Sequence, residues 1–395
     1  MFERKPTGLQ AFNGDAGRPL AKLNAFEGFS RSILIGVIPL LVLKALGSKE
    51  AVTQAYLFAS ILTLSITLNF ATIERLLKRR WVVTLGVFFT LIAVSIFWLA
   101  EGLTVAIAIG LQSAAASLFS VCISLYIMDY IGKKELIYTE SRRLLYTGMA
   151  WMIGPSLGIY LWTEVADWLA FSITIVSALF MLTYFWHLRL GDNQIIKKAL
   201  RRPQGLLTII PRFFKQSTLR IAYIITLSRA IFWMSLFIYG PIYVVEANLP
   251  EWVAGGLLSF VSGLLLISPV IRNVASRHGT RNIIIIALLL CGISVAMLYF
   301  IGSPKPIGLL FWILASVGGV IVDILGNIPF MRTVKPRERT EMTMIFSTWR
   351  EASQLLTPLL VTLILLVAPF EVFYLLLSAI LLCAAFAASY LPARL

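Results

Sequence analysis

Twelve apolar stretches, each of about twenty residues or more, divide this 395-residue chain at regular intervals. An α-helix rises about 1.5 Å per residue, so each stretch is long enough to cross the roughly 30 Å hydrocarbon core of a bilayer. Hydrophobic residues make up 59% of the chain and charged residues only 13%, which excludes a soluble globular protein. The sequence therefore predicts an all-α polytopic membrane protein with transmembrane spans one to twelve at residues 25–46, 52–73, 82–100, 103–130, 141–162, 166–188, 220–245, 252–270, 283–301, 306–330, 343–367 and 372–391.

The connections between these spans differ in charge on the two sides of the membrane. Alternate connections carry basic clusters, such as residues 75–80, 133–143 and 189–219. The other connections carry mainly Glu and Asp. Basic loops mark the cytosolic side of membrane proteins, so we predict a multi-pass protein of the inner membrane with both termini in the cytosol. This distribution accounts for the net charge of +15 without a nucleic-acid partner.

An internal repeat of about 200 residues indicates two pseudo-symmetric halves of six spans each. Ser30-Arg31-Ser32-Ile33 recurs as Ser228-Arg229-Ala230-Ile231 at an offset of 198 residues, and Pro155 has a counterpart in Pro358. Two such halves joined by a basic linker are typical of transporters built from repeats. We predict a cytosolic tail (1–24), an N-terminal half (25–188), a cytosolic linker (189–219) and a C-terminal half (220–395).

Several classes of protein are disfavoured by the residues that the chain contains. A glycine-rich phosphate loop with Lys-Ser or Lys-Thr does not occur, so we expect no ATP-driven pump. The cysteines lie far apart in apolar spans, so neither a disulfide framework nor a metal site is expected. The two histidines, His187 and His278, belong to different halves, which disfavours a membrane enzyme acting on lipid. We predict a monomer without a cofactor or enzymatic activity.

Charged residues inside the predicted spans are the main candidates for function. Each costs roughly 2.5–3.5 kcal/mol to insert, so such residues usually face a protein interior or a wet cavity. Four of them lie nine residues, or about 13 Å of helix, from a charged residue at the cytosolic end of their span: Arg31, Arg229, Arg350 and Asp323. The candidates for substrate binding are Arg31, Arg229, Arg350, Gln112 and Asn327, and those for proton coupling are Asp323 and Glu351.

The same charges allow three interpretations. The arginines outnumber the two acids by one, which favours an anionic or zwitterionic substrate held through bidentate contacts. Alternatively, Asp323 or Glu351 carries a coupling proton. In the purely structural interpretation, Arg31 pairs with Glu27 one turn earlier, and Asp323 neutralises Arg229 or Arg350 so that the spans can insert.

The fifth span carries a motif of small residues around a proline. Ala150-x3-Gly154-Pro155-x2-Gly158 resembles the fifth-helix motif of exporters in the major facilitator superfamily, with Ala150 and Ile159 in two places where that motif usually has glycine. Because glycines remove side chains from one face, a neighbouring helix is expected to approach closely and rock on this helix.

The loop after span two resembles the best-known motif of the same superfamily. That motif has a glycine, three residues, an acid and an arginine, one residue, then glycine and two basic residues. The first copy keeps Glu74, Arg75, Lys78 and Arg79, with Phe70 and Leu77 where glycines are usual. A second copy after span eight keeps Arg277, Gly279 and Arg281, with Ser276 for the acid.

The resemblance covers nearly the whole chain and identifies it as similar to bacterial transporters of the major facilitator superfamily. It implies a secondary active transporter that moves a small organic solute by alternating access, coupled to the proton gradient, with the fifth-span motif favouring export. It further implies gating roles for Glu74 and Arg75 as a cytosolic latch, and for Arg277, Gly154, Pro155 and Gly158. The alternatives are an organic-anion or amphipathic-lipid carrier, a transport-inactive sensor or assembly protein, and, for residues 75–80, a purely topogenic role.

Overall fold

The computed structural model describes residues 17–99, 102, 104–130, 133–188, 206–334 and 339–392. Within these ranges the chain is helical and contains no strand, so the predicted all-α architecture is confirmed. Seven helices are long and apolar enough to cross a membrane on their own. Most of the predicted tail 1–24 and residues 189–205 of the predicted linker lie outside the described residues.

The first of the first six spans is a helix that is broken once. Span one consists of Gly17–Ile35 and Val37–Leu46, and it starts earlier than predicted because its helix continues into the polar segment before the apolar stretch. Span five starts earlier for the same reason. The remaining bounds are Lys49–Leu68 with Phe70–Leu77 for span two, Arg79–Trp98 for three, Thr104–Tyr130 for four, Lys133–Tyr160 with the π-helical turn Leu161–Val165 for five, and Asp167–His187 for six.

A short helix, Leu206–Lys215, precedes the second set of spans. Span seven runs unbroken from Ser217 to Glu246, although it contains Gly240 and Pro241. Proline is tolerated within membrane helices when neighbouring groups satisfy the backbone. The remaining bounds are Glu251–Gly263, Leu264–Ile267 and Ser268–His278 for span eight, Thr280–Ile301 for nine, Gly308–Leu325 with Ile328–Thr333 for ten, Arg339–Ser347 with Trp349–Leu365 for eleven, and Val372–Ala388 for twelve.

The chain divides into two compact units. The first contains spans one to six together with Glu251–Gly263, the first part of span eight. The second contains span seven, the rest of span eight, and spans nine to twelve. The predicted boundary places all of span eight in the second half, whereas Glu251–Gly263 packs along span five in the first unit.

Each unit has its own apolar core. In the first unit, spans one, three, four and six meet around buried side chains that include Leu23, Val83, Phe119 and Met181. In the second unit, Leu206–Lys215 inserts Phe213 into a core formed with spans seven, ten and eleven. There the rings of Phe330 and Phe346 stack with centroids 3.9 Å apart. These cores fix the rotation of the helices that carry the candidate charges.

The turns before spans three and nine show how the two repeats correspond. Lys78 begins span three with φ 62° and ψ 148°, and Gly279 begins span nine with φ 86° and ψ 132°. This backbone conformation is essentially restricted to glycine. The structural counterpart of Gly279 is therefore Lys78, one residue after the Leu77 that the motif comparison predicts.

Replacing Lys78 with glycine is expected to raise the free energy of unfolding by about 1 kcal/mol, because it removes the strain of a side chain at this φ. Thermal unfolding of the purified protein in detergent measures the change. Asn248→Gly is the matched control, since Asn248 also has a positive φ of 57° but asparagine tolerates that conformation. A lower melting temperature for Lys78→Gly would contradict the prediction.

Candidate functional site

A buried ion pair joins spans seven and ten in the second unit. The Arg229 Nη1 atom lies 2.5 Å from Asp323 Oδ1, and the two side chains are 6% and 26% exposed. Span seven buries Arg229 because the flanking residues Ser228 and Ala230 also face its packed side. Pairing offsets the large cost of removing both charges from water. Two of the predicted site residues are therefore in direct contact.

The indole of Trp349, at the start of the second helix of span eleven, interacts with two guanidinium groups. The Arg229 Cζ atom lies 5.0 Å and the Arg350 Cζ atom 5.5 Å from the ring centroid, within the range of cation–π attraction. The Arg350 side chain is exposed, unlike that of Arg229. Glu351 makes no ion pair with another described residue, so the structure does not bring this predicted proton-coupling residue into the group.

Two buried polar atoms close to the ion pair have no hydrogen-bond partner among the described residues. They are Arg229 Nε and Asn327 Oδ1, whereas the Trp233 indole N–H interacts with the Asp323 carboxylate. Trp233 follows Arg229 by four residues, and Asn327 follows Asp323 by four, so each lies about one turn from the pair along its span. An unsatisfied buried polar group costs about 1–3 kcal/mol, which makes these atoms candidates for contact with solute or water. We call Arg229, Asp323, Trp349, Arg350, Trp233 and Asn327 the Arg229 cluster.

The predicted Arg31 lies in the first unit and pairs with Glu27 on the same helix. The Arg31 Nε atom is 3.3 Å from Glu27 Oε1, and the Arg31 side chain is 38% exposed. Its Nε atom makes no hydrogen bond to a described residue. The Arg31 Cζ atom also lies 5.1 Å from the ring centroid of Trp151 in span five. The pairing that the structural interpretation predicted for Arg31 is thus present.

A small cavity of about 30 Å³ adjoins this pair between spans one, three, four and six. Its polar lining consists of Glu27, Ser30, Arg31, Thr90 and Gln112. The predicted Gln112 is only 8% exposed, and its Oε1 atom has no hydrogen-bond partner among the described residues. The structure therefore brings Arg31 and Gln112 to one cavity.

The small residues of span five are packed against span one. A Cβ atom on Gly154 would collide with the Ser32 side chain, and one on Gly158 would collide with the carbonyl group of Ile33. The Ser32 hydroxyl also donates a hydrogen bond of 3.1 Å to the carbonyl oxygen of Ala150. The predicted close approach to this face is confirmed, whereas rocking on it stays a prediction.

The opposite side of span five contacts the first part of span eight. A Cβ atom on Gly255 would lie 2.9 Å from the carbonyl oxygen of Pro155, so the two backbones are close. Directly after the proline, the Ser156 N–H donates a hydrogen bond of 2.9 Å to Ser259 Oγ. Ser259 therefore supplies an acceptor to a backbone donor at the proline of the motif.

Replacing Ser259 with alanine is expected to lower the free energy of unfolding by about 1–2 kcal/mol, because it removes the acceptor of the Ser156 N–H. The matched control is Ser262→Ala. That hydroxyl is similarly buried but donates to the carbonyl of Leu258 within its own helix, so its loss should change little. Thermal unfolding in detergent compares the two variants, and equal melting temperatures would contradict the prediction.

A model of the Major Facilitator Superfamily matches residues 22–358, which is most of the chain. The chain belongs to the major facilitator superfamily. Comparison with functionally curated proteins gives no sequence match. Members of this superfamily are transporters, so the chain is a multi-pass secondary transporter rather than an enzyme.

Solved structures with the same fold are similar to this transporter over nearly their full length. The nucleoside transporter NupG has a TM-score of 0.70 at 14% identity, with 95% of this chain and 98% of that chain covered. The POT family transporter PepTSo has a TM-score of 0.74 at 12% identity, with 98% of each chain covered. A bacterial metal transporter has a TM-score of 0.65 at 15% identity, covering 94% and 97%. At these identities the likeness establishes the fold.

The superfamily loop motif forms an ion pair that the motif comparison did not predict. Glu74 Oε1 accepts a hydrogen bond of 2.9 Å from Arg79 Nε, and the Arg79 guanidinium also lies 5.2 Å from the ring centroid of Tyr126. The predicted latch joins Glu74 to Arg75, but the Arg75 side chain lies outside the described part of the structure. In the second copy the Arg277 side chain is exposed, while Arg281 donates to the carbonyl oxygen of Leu391. The gating roles stay predictions.

A further ion pair joins span one to span eight within the first unit. The Lys44 Nζ atom lies 2.9 Å from Glu251 Oε1 and 4.3 Å from the ring centroid of Trp162. Lys44 and Trp162 are not among the residues predicted from the sequence. The pairing of Arg79 with Glu74, and of Trp151 and Trp349 with arginines, was not predicted either. The repeat offset of 198 contains a signal for the two tryptophans, since positions 151 and 349 differ by that number.

Proposed function

We propose that this protein carries small organic anions across the inner membrane by alternating access, and that the Arg229 cluster binds the anion. The family and fold support secondary transport. The anion is inferred from the buried, paired guanidinium group of Arg229, because arginine forms strong bidentate contacts with carboxylate and phosphate. The single observation that carries the proposal is the contact of Arg229 with both Asp323 and Trp349.

The balance of charges supports coupling to protons. The Arg229 guanidinium is already paired with the Asp323 carboxylate, and this pair is neutral. An anion can bind Arg229 only if Asp323 is displaced or protonated, since an added negative charge beside a buried carboxylate is costly. We therefore propose that a proton on Asp323 and an anion on Arg229 bind together.

Binding of proton and anion together predicts that an inward proton gradient drives uptake. The fifth-span motif instead favours export, on resemblance alone. Reconstitution into proteoliposomes separates these directions. With the pH outside lower than inside, uptake of a labelled organic anion above the rate without a gradient supports the proton-coupled proposal, and uptake that is independent of pH contradicts it.

The binding test is a thermal-shift screen of the detergent-purified protein. The panel contains organic anions, zwitterions and lipophilic cations at two pH values, with Arg229→Lys alongside. Anions are expected to stabilise the parent, more strongly at the lower pH, and to stabilise Arg229→Lys less because lysine lacks the bidentate fork. Stabilisation by lipophilic cations alone would contradict the proposal and favour a carrier for amphipathic cations.

A further inference from the structure

The two repeats each contain an arginine that lies over a tryptophan. In the first unit Arg31 Cζ is 5.1 Å from the Trp151 centroid, and in the second Arg229 Cζ is 5.0 Å from the Trp349 centroid. Both the arginines and the tryptophans are separated by 198 residues in sequence. The same two positions of the first and fifth span of each repeat thus form the same contact. Its presence in both copies indicates a shared role.

The two arginine–tryptophan contacts differ in how firmly the arginine is held. Arg229 is 6% exposed and pairs with an acid from another span, whereas Arg31 is 38% exposed and pairs with Glu27 one turn earlier. The Arg31–Glu27 pair also has the longer separation, 3.3 Å against 2.5 Å for Arg229 and Asp323. A competing anion therefore displaces Glu27 from Arg31 at lower cost than it displaces Asp323 from Arg229.

The cavity beside Arg31 limits what the competing group can be. Its volume of about 30 Å³ holds about two water-sized groups, which corresponds to the two oxygens of a carboxylate. The hydroxyl hydrogens of Ser30 and Thr90 already donate to backbone carbonyls. The donors left for a bound group are the Arg31 guanidinium and the Nε2 amide group of Gln112, a side chain that is 8% exposed.

We propose that Arg31, Gln112 and Trp151 form a second anion-binding site, in the first unit, which takes the carboxylate of an organic acid. Glu27 occupies the place of that carboxylate when the site is empty. The inference rests on the proposed function, because it names the class of the transported anion. It goes beyond that function in making Glu27 a competitor of the solute.

Calorimetric titration of the purified protein with 2-naphthoate tests this site. Arg31→Gln is expected to weaken binding about tenfold or more, because it removes a charged hydrogen-bond donor. Glu27→Gln is expected to tighten binding severalfold, because the competing carboxylate is gone. The matched control Glu50→Gln, at an exposed acid of span two, should leave the affinity unchanged. A merely structural Glu27 would predict loss rather than gain.

A second pair of variants keeps the test valid if Arg31→Gln does not fold. Arg31→Lys keeps the charge and should bind 2-naphthoate more weakly than the parent, and Gln112→Leu should also weaken it. Weaker binding in both supports the site, and parent-like affinity in both overturns it. Inorganic phosphate and tetraphenylphosphonium complete the panel: tighter binding of phosphate than of 2-naphthoate overturns the carboxylate assignment.

The outcomes separate this inference from the proposed function. If Arg229→Lys weakens binding of 2-naphthoate while Arg31→Gln and Glu27→Gln leave it unchanged, the inference is overturned and the proposed function stands. If the parent binds tetraphenylphosphonium but neither anion, both are overturned. Tighter binding by Glu27→Gln together with weaker binding by Arg31→Gln supports the inference.

Discussion

Replacing Gly158 with alanine is expected to lower the free energy of unfolding by about 3 kcal/mol, the upper part of the usual range for overpacking. The added Cβ would collide with the carbonyl oxygen of Ile33, which belongs to the backbone of span one and has no rotamer to change. The helices would have to separate, and this would open the neighbouring contact between Gly154 and Ser32. Close packing of small residues is a main source of helix association in membranes.

The control for this prediction is Gly148→Ala, the same substitution at another glycine of the same helix. Gly148 is buried, but no described atom lies within 4 Å of its would-be Cβ. Alanine should therefore be neutral there, or stabilise by about 0.5–1 kcal/mol because it favours the helix. Thermal unfolding and transport activity are measured for both variants. A melting temperature of Gly158→Ala close to that of Gly148→Ala would show that the contact does not hold the helices together.

Replacing Asp323 with alanine is expected to lower the free energy of unfolding by about 3–5 kcal/mol, because it leaves the buried Arg229 charge without its partner. The double variant Arg229→Met/Asp323→Leu should be close to the parent in stability, since apolar replacement of a buried pair is often neutral or better. Both variants are expected to lose proton-coupled anion transport. Stability and transport therefore separate in the double variant.

The control for the ion pair is Glu251→Ala, which breaks the pair with the largely exposed Lys44. Exposed pairs contribute at most about 1 kcal/mol, so this variant should unfold near the parent temperature. The three proteins are compared by thermal unfolding in the same detergent. An Asp323→Ala protein as stable as the Glu251→Ala protein would mean that Arg229 finds another counter-ion.

The family, the helical fold and the approximate positions of the spans follow from the sequence, because these signals are one-dimensional. A bilayer needs a fixed length of apolar helix, and it selects where basic residues accumulate along the chain. The repeat offset of 198 also placed Arg31 and Arg229 at equivalent positions. The prediction that Arg229 and Asp323 lie near each other needed only their similar depth in the membrane and their opposite charges.

Tertiary structure alone decided the partners that the sequence did not predict. Glu74 pairs with Arg79, Arg31 lies over Trp151 of another span, and Glu351 makes no ion pair with another described residue. Such contacts depend on the rotation of each helix about its axis and on the packing of its neighbours, which small residues and apolar cores set in three dimensions. Depth in the membrane can be counted along a chain, whereas the face that a helix presents to the next one is fixed only when the helices pack.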